Sequence, residues 1–194
     1  MRCCRYLLFV LAAVVTNAAL IPPFFIDSVV AIGHNEPNKD GSQRWVTEAS
    51  GFLYGYLVQN DTDPAKRQYE VYLVTNRHVI MSHALVSFRM NPAKTSEQGM
   101  VFDTPIKDWF THKDSNVDIV AVRINWQFLK DRGIDCNFMT SDTNALDTQR
   151  MKEIGVSAGD GIFVLGFPMN LAGEQRNYAI VRPGAIARVS DLIA

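Results

Sequence analysis

The chain of 194 residues is poor in cysteine. It has three, and two of them, Cys3 and Cys4, stand at the extreme N-terminus. Only Cys136 lies in the body of the chain, so an internal disulfide framework is excluded there. No CxxC pair, no HxxxH and no paired-histidine spacing occurs; His78 and His83 are five apart, on different faces of any helix, so no metal centre is expected. Charge of one sign is also lacking. The formal net charge is -1 and no basic stripe with interleaved aromatics appears, which gives nucleic acid no footprint. Long helical periodicity is missing as well, which argues against a helical bundle or an alternating α/β sheet.

Long hydrophobic runs are equally scarce. The longest opens the chain: Arg2 and Arg5 flank the two cysteines, "YLLFVLAAVV" follows from Tyr6, and small residues come at Thr16, Ala18 and Ala19. That apolar run is 10 residues, well short of the roughly 20 that span a bilayer. The order of basic, apolar and small-residue zones is that of an export signal, with cleavage after Ala18 or Ala19. Residues 1–19 are therefore expected to be a signal peptide, and the protein to be periplasmic or secreted; an uncleaved membrane anchor is the alternative. Cys3 and Cys4 would leave with the signal.

The whole sequence is 47 % hydrophobic and 20 % charged, enough for a packed core. Short β-rich runs recur: "DSVVAIG" from Asp27, "SGFLYGYLV" from Ser50, "YEVYLVTN" from Tyr69, "ALVSFRM" from Ala84, "VDIVAVRI" from Val117, "DGIFVLGF" from Asp160 and "NYAIVRPGAIARV" from Asn177. They are rich in Val, Ile, Phe and Tyr and are bounded by Gly, Asn, Asp and Pro. The polar "QNDTDPAKRQ" between Val58 and Tyr69 predicts a hairpin. "WQFLKDRG" is the best helix and is short. The fold class is all-β, a barrel or sandwich.

"YLVTNRHVI" carries the chemistry. An apolar strand ends at Asn76 and delivers His78 just past its tip, where a rigid element can present a catalytic imidazole. Further on, "SNVDIVAVRI" places Asp118 at the entrance of another apolar strand. A carboxylate held there can fix one ring nitrogen and leave the other to accept a proton from a nucleophile. Asp114 is the rival acid, but "THKDSN" gives it no strand for support. An unrelated aspartate beside a satisfied structural histidine is the plainer alternative.

Several of these stretches resemble a known family. Ser50-Gly51-Phe52, then Thr75-Asn76-Arg77-His78-Val79, then Asp118-Ile119-Val120-Ala121-Val122 are similar, in that order, to the first barrel of trypsin-like serine peptidases, most like the bacterial HtrA-type branch. "AGDGIFVLGFP" from Ala158 and "VRPGAIARV" from Val181 are similar to the first strands of that family's second barrel. The resemblance runs from about Ser28 to Val189. It implies two antiparallel β-barrels with a cleft between them: residues 20–132 as the first barrel with His78 and Asp118, 133–157 as a linker, and 158–194 as part of an incomplete second barrel. It implies a serine endopeptidase acting on polypeptide, without cofactor or metal.

The family's Gly-Asn/Asp-Ser-Gly loop, which supplies nucleophile and oxyanion hole, does not occur in the sequence. The resemblance therefore implies a serine beyond Ala194, and a chain that is inactive as given. The alternative is a non-catalytic secreted two-barrel binding protein. "GVSAG" from Gly155 fits G-x-S-x-G, but the hydrolase order of serine, acid, histidine is impossible because the last histidine, His112, precedes Ser157. Ser157 is expected to be a turn serine, His34 and His112 to be solvated, Trp109 and Phe110 to pack in or between barrels, and Cys136 to be an unpaired, partly buried thiol.

Overall fold

The computed structural model describes residues 21–187, so the expected signal peptide and its cleavage point lie outside the described residues. In chain order the elements are α1 (Pro23–Asp27), β1 (Val29–Pro37), β2 (Gln43–Gln59), β3 (Gln68–Thr75), α2 (Arg77–Ile80), β4 (Leu85–Met90), β5 (Met100–Pro105), β6 (Trp109–Thr111), β7 (Val120–Arg123), α3 (Trp126–Asp131), β8 (Met139–Thr140), α4 (Thr148–Glu153), β9 (Gly161–Gly166) and β10 (Ile180–Ala185). The chain is mostly β, with short helices only. Seven antiparallel strands in the order β5-β4-β1-β2-β3-β7-β6 curl into a half-barrel, and β8 adds two residues parallel to β2. β9 and β10 form a separate antiparallel pair.

Alternation along the strands decides which side is core. In β3, Val71, Leu73 and Thr75 point inward while Tyr72 and Val74 face out, the period of two that a pleated strand imposes. In β2 the inward positions are Gly51, Leu53 and Gly55. Glycine stands at 55 because the ring of Phe138 fills the space: a Cβ there would lie 2.4 Å from Phe138 Cδ2. The sheet closes over Ile32, Leu53, Leu73, Ile80, Val120 and Leu129, all essentially sealed from water. Burial of each contributes roughly 1.5–3 kcal/mol. The start of the expected linker belongs to this core too, since Ile134 and Cys136 are buried and Phe138 packs edge-on to Trp126, centroids 4.9 Å apart.

Several elements differ from expectation. β2 begins at Gln43, not Ser50, because Gln43–Thr47 pairs with the far half of β1. That pairing carries β1 through His34, which is a strand residue and not part of a solvated loop; Glu36 and Glu48 flank its ring at 3.1 and 3.2 Å. β5 and β6 carry no strong strand signal and are held by their neighbours β4 and β7. Trp109 is buried, and its Nε1 donates to Thr104 Oγ1 over 3.0 Å; Phe110 faces outward against Tyr72.

The β9–β10 pair exposes Ile162, Phe163 and Val164 and has no covering layer among the described residues. Its connecting loop is nevertheless tied to the half-barrel. Arg89 of β4 is 2 % exposed and spreads its guanidinium over main-chain carbonyls of Gly173, Glu174 and Arg176 and over Asn177 Oδ1. Burial pulls its pKa down to about 10, so it is a cation at neutral pH. Arg176 answers from the loop, donating to the carbonyls of Pro92, Lys94 and Glu97.

Candidate functional site

β3 and β7 are paired, with Thr75 opposite Val120. That register alone sets the two residues before Val120 beside the two after Thr75. At the end of β3 the chain turns into α2, a single turn of helix. Ile80 anchors it, fully buried, with Val79 packed on the core behind it, and this leaves His78 on the outer side. The main-chain N–H of Arg77 reaches the carbonyl of Asp118 at 3.4 Å.

His78 and Asp118 meet at two points. His78 Nδ1 lies 2.5 Å from Asp118 Oδ2, and the main-chain N–H of His78 donates to Oδ1 over 2.9 Å. Asn76 Nδ2 donates to the carbonyl of Asp118 at 3.0 Å and to its Oδ2 at 3.3 Å. These donors hold the Asp118 carboxyl below the usual carboxylate range: the main-chain N–H of His78 contributes most, then its ring, with partial desolvation opposing. An ionised carboxylate accepts only, so the ring must carry its proton on Nδ1. The lone pair of a neutral imidazole is then on Nε2, which makes no hydrogen bond among the described residues. Such a nitrogen can take a proton from a hydroxyl or a water brought to it.

Both side chains are open to water. His78 is 72 % and Asp118 46 % exposed at the side chain. The physical reason is that no described residue lies over the imidazole. Beside the pair runs an apolar groove of about 770 Å³, reaching from Thr75 and Asn76 across Phe52 to Phe163 and Val164. A second hollow, sharing Phe52, Val74, Ile119 and Met139, continues it along Tyr54 and Tyr72. The outer face of β2, β3 and β7 is thus apolar.

Of the two acids weighed from the sequence, Asp118 and not Asp114 meets the histidine. Asp114 lies in an exposed turn, its Oδ1 accepting from the N–H of Asn116. His112 is exposed, its Nδ1 accepting from the N–H of Asp114. Ser157 is exposed, and its N–H donates to Asp160 Oδ2 in a turn. Cys136 is a free thiol, buried completely rather than partly. No group of three or more His, Cys, Asp or Glu side chains able to hold a metal is found among the described residues.

Two features escaped the sequence reading. One is the part played by Asn76, present in the Thr-Asn-x-His-Val stretch but read there only as a strand terminator. The other is Glu48, whose carboxylate lies 3.2 Å from His34 Nδ1 and 3.6 Å from His83 Nε2; residues so far apart in sequence leave no local signal. No protein-family model matches this chain, and no curated protein or solved structure matches it.

Proposed function

We propose that His78 and Asp118 are the base and the orienting acid of a serine-type endopeptidase of the trypsin-like kind, closest to the HtrA branch, exported and acting on polypeptide. The observation that carries this reading is the Nδ1-side contact of His78 with Asp118, which leaves Nε2 as the open lone pair. In this mechanism Nε2 takes the proton of a serine hydroxyl as its oxygen attacks the peptide carbonyl. The imidazolium then gives that proton to the leaving amine, and a water repeats the sequence to release the acyl group. Asp118 stays ionised throughout and fixes the tautomer. The reading takes the half-barrel as the first of two barrels and β9–β10 as the opening of the second. It places the serine and oxyanion hole in a loop after Ala194, and it makes the apolar groove the face on which the rest of the second barrel packs. Neither cofactor nor metal enters.

A second reading is a secreted, non-catalytic binding protein. The exposure of His78 favours it. Extending the chain through its downstream reading frame decides between them. For the peptidase, the extension contains such a serine, the extended protein reacts with a fluorophosphonate, and His78→Ala lowers casein hydrolysis by about four powers of ten. Casein hydrolysis unaffected by His78→Ala removes the assignment. An extension without the serine favours the binding protein.

A further inference from the structure

Asn76 holds the N-cap position of α2, with extended backbone angles (φ -76°, ψ 140°). An asparagine there ordinarily turns its side-chain oxygen onto the N–H of the second or third helical residue. Asn76 makes no such bond. The N–H in question, that of His78, is capped from outside by Asp118 Oδ1 at 2.9 Å. The Asn76 side chain is turned the other way, and its Nδ2 donates to the acid at two places, the carbonyl at 3.0 Å and Oδ2 at 3.3 Å. The helix carrying the histidine is therefore capped by the acid, and the residue that would normally cap it holds the acid.

We infer that Asn76 is a positioning residue: its amide clamps the Asp118 side chain in the one rotamer that serves His78 at both its main-chain N–H and its Nδ1. The inference rests on the proposed function for its meaning, but not for its test. Asp118 is half exposed and does not lie within β7, so packing alone does not fix its χ angles. Among the described residues its two oxygens receive three donors, and Asn76 supplies the one that does not come from His78. Among good N-cap residues, only asparagine offers an N–H donor at this reach. Serine and threonine are shorter, and aspartate has only acceptors when ionised. A mere N-cap would accept any of them.

That difference supplies the experiment. Asn76→Ser and Asn76→Asp, made in this chain, both keep a competent cap, and aspartate keeps the shape of asparagine as well. Three quantities are read by NMR and calorimetry: the low-field proton of His78 Nδ1–H, the titration midpoint of the Asp118 carboxyl carbon, and the thermal midpoint of the fold. A clamp predicts that in Asn76→Ser the thermal midpoint is nearly unchanged. The Nδ1 proton broadens or vanishes through exchange with water, and the Asp118 midpoint moves up. In Asn76→Asp the upward move is larger, because a like charge replaces a donor. A sharp Nδ1 signal and an unmoved Asp118 midpoint in the serine variant overturn the inference, whatever the aspartate variant does. The readout needs no hydrolysis, so an inert extended chain overturns the proposed function and leaves the clamp standing. A fully active extended Asn76→Ser protein overturns the clamp alone.

Discussion

The main-chain N–H of Phe167 donates to Ser50 Oγ over 2.8 Å, joining residues 117 positions apart. The carbonyl of the same serine accepts from Thr75 Oγ1 at 3.0 Å. One residue of β2 thus fixes both the end of β9 and the end of β3, the strand that leads to Asn76 and His78. Phe167 is 4 % exposed, so water does not readily replace a lost acceptor. Ser50→Ala is expected to cost about 1–3 kcal/mol, the penalty of a buried unpaired donor. Amide exchange should quicken at Phe167, while Thr75 keeps its bond to the main-chain carbonyl. Unchanged protection at Phe167 would show that the serine is not the latch.

Two glycines of the half-barrel should differ sharply when a methyl group is added. At Gly33, beside the register shift that follows Ile32, a Cβ would stand 1.9 Å from the carbonyl oxygen of Val46. Backbone of a paired strand cannot yield, so Gly33→Ala should break the β1–β2 pairing and prevent folding. At Gly55 the obstacle is the Phe138 ring at 2.4 Å, a side chain that can shift. Gly55→Ala should cost about 1–3 kcal/mol as an overpacking change. Phe138→Leu in the same chain should recover part of it. Thermal unfolding of the four proteins checks this, and equal losses at the two glycines would contradict it.

The clasp of Asp118 on His78 should have an acid limit. The carboxyl is held below its ordinary range in the folded protein. Its contribution to stability is therefore complete above the unfolded value of about 3.9 and is lost as pH falls through the lower folded value. Asp118→Asn has no such titration. The thermal midpoints of the two proteins should be separated between pH 5 and 7 and converge below about pH 4. A constant separation down to the most acid point would mean that the carboxylate is not what His78 binds.

How far the sequence could be read depended on where each signal was stored. Alternation is local, so β1, β3, β4, β7 and β9 were legible to within a few residues, as was the hairpin between Gln59 and Gln68. β5, β6 and the first half of β2 exist because of partners elsewhere in the sheet, and their own residues gave little warning. His78 and Asp118 could be chosen because each lies just beyond the buried stretch of its strand. Their meeting follows from the β3–β7 register, which is a tertiary fact. The role of Asn76 was hidden for a different reason: asparagine at the end of an apolar strand already has a sufficient local explanation, and only the direction of its amide removes it.

Cys136 should be chemically silent until the half-barrel opens. It is fully buried in the main core, and burial pushes its thiol up to about 12. The thiolate is the reactive species, and it is essentially unpopulated at neutral pH in such a site. Peptide-resolved alkylation with iodoacetamide should leave Cys136 unmodified in the native protein and modify it fully in denaturant. The same shift has a consequence for stability. In the unfolded chain the thiol ionises near pH 8.5. Keeping it neutral therefore costs the fold nothing below that value, and an increasing amount as pH rises from there toward about 12. Cys136→Ala removes the titration and leaves a small cavity, which should cost about 1 kcal/mol at neutral pH. Its deficit relative to the parent protein should shrink as the pH is raised past 9, as the parent loses stability that the variant does not have. Alkylation of Cys136 at the rate of a free thiol, or a deficit that stays constant into the alkaline range, would place the sulfur nearer to water than the core around it allows.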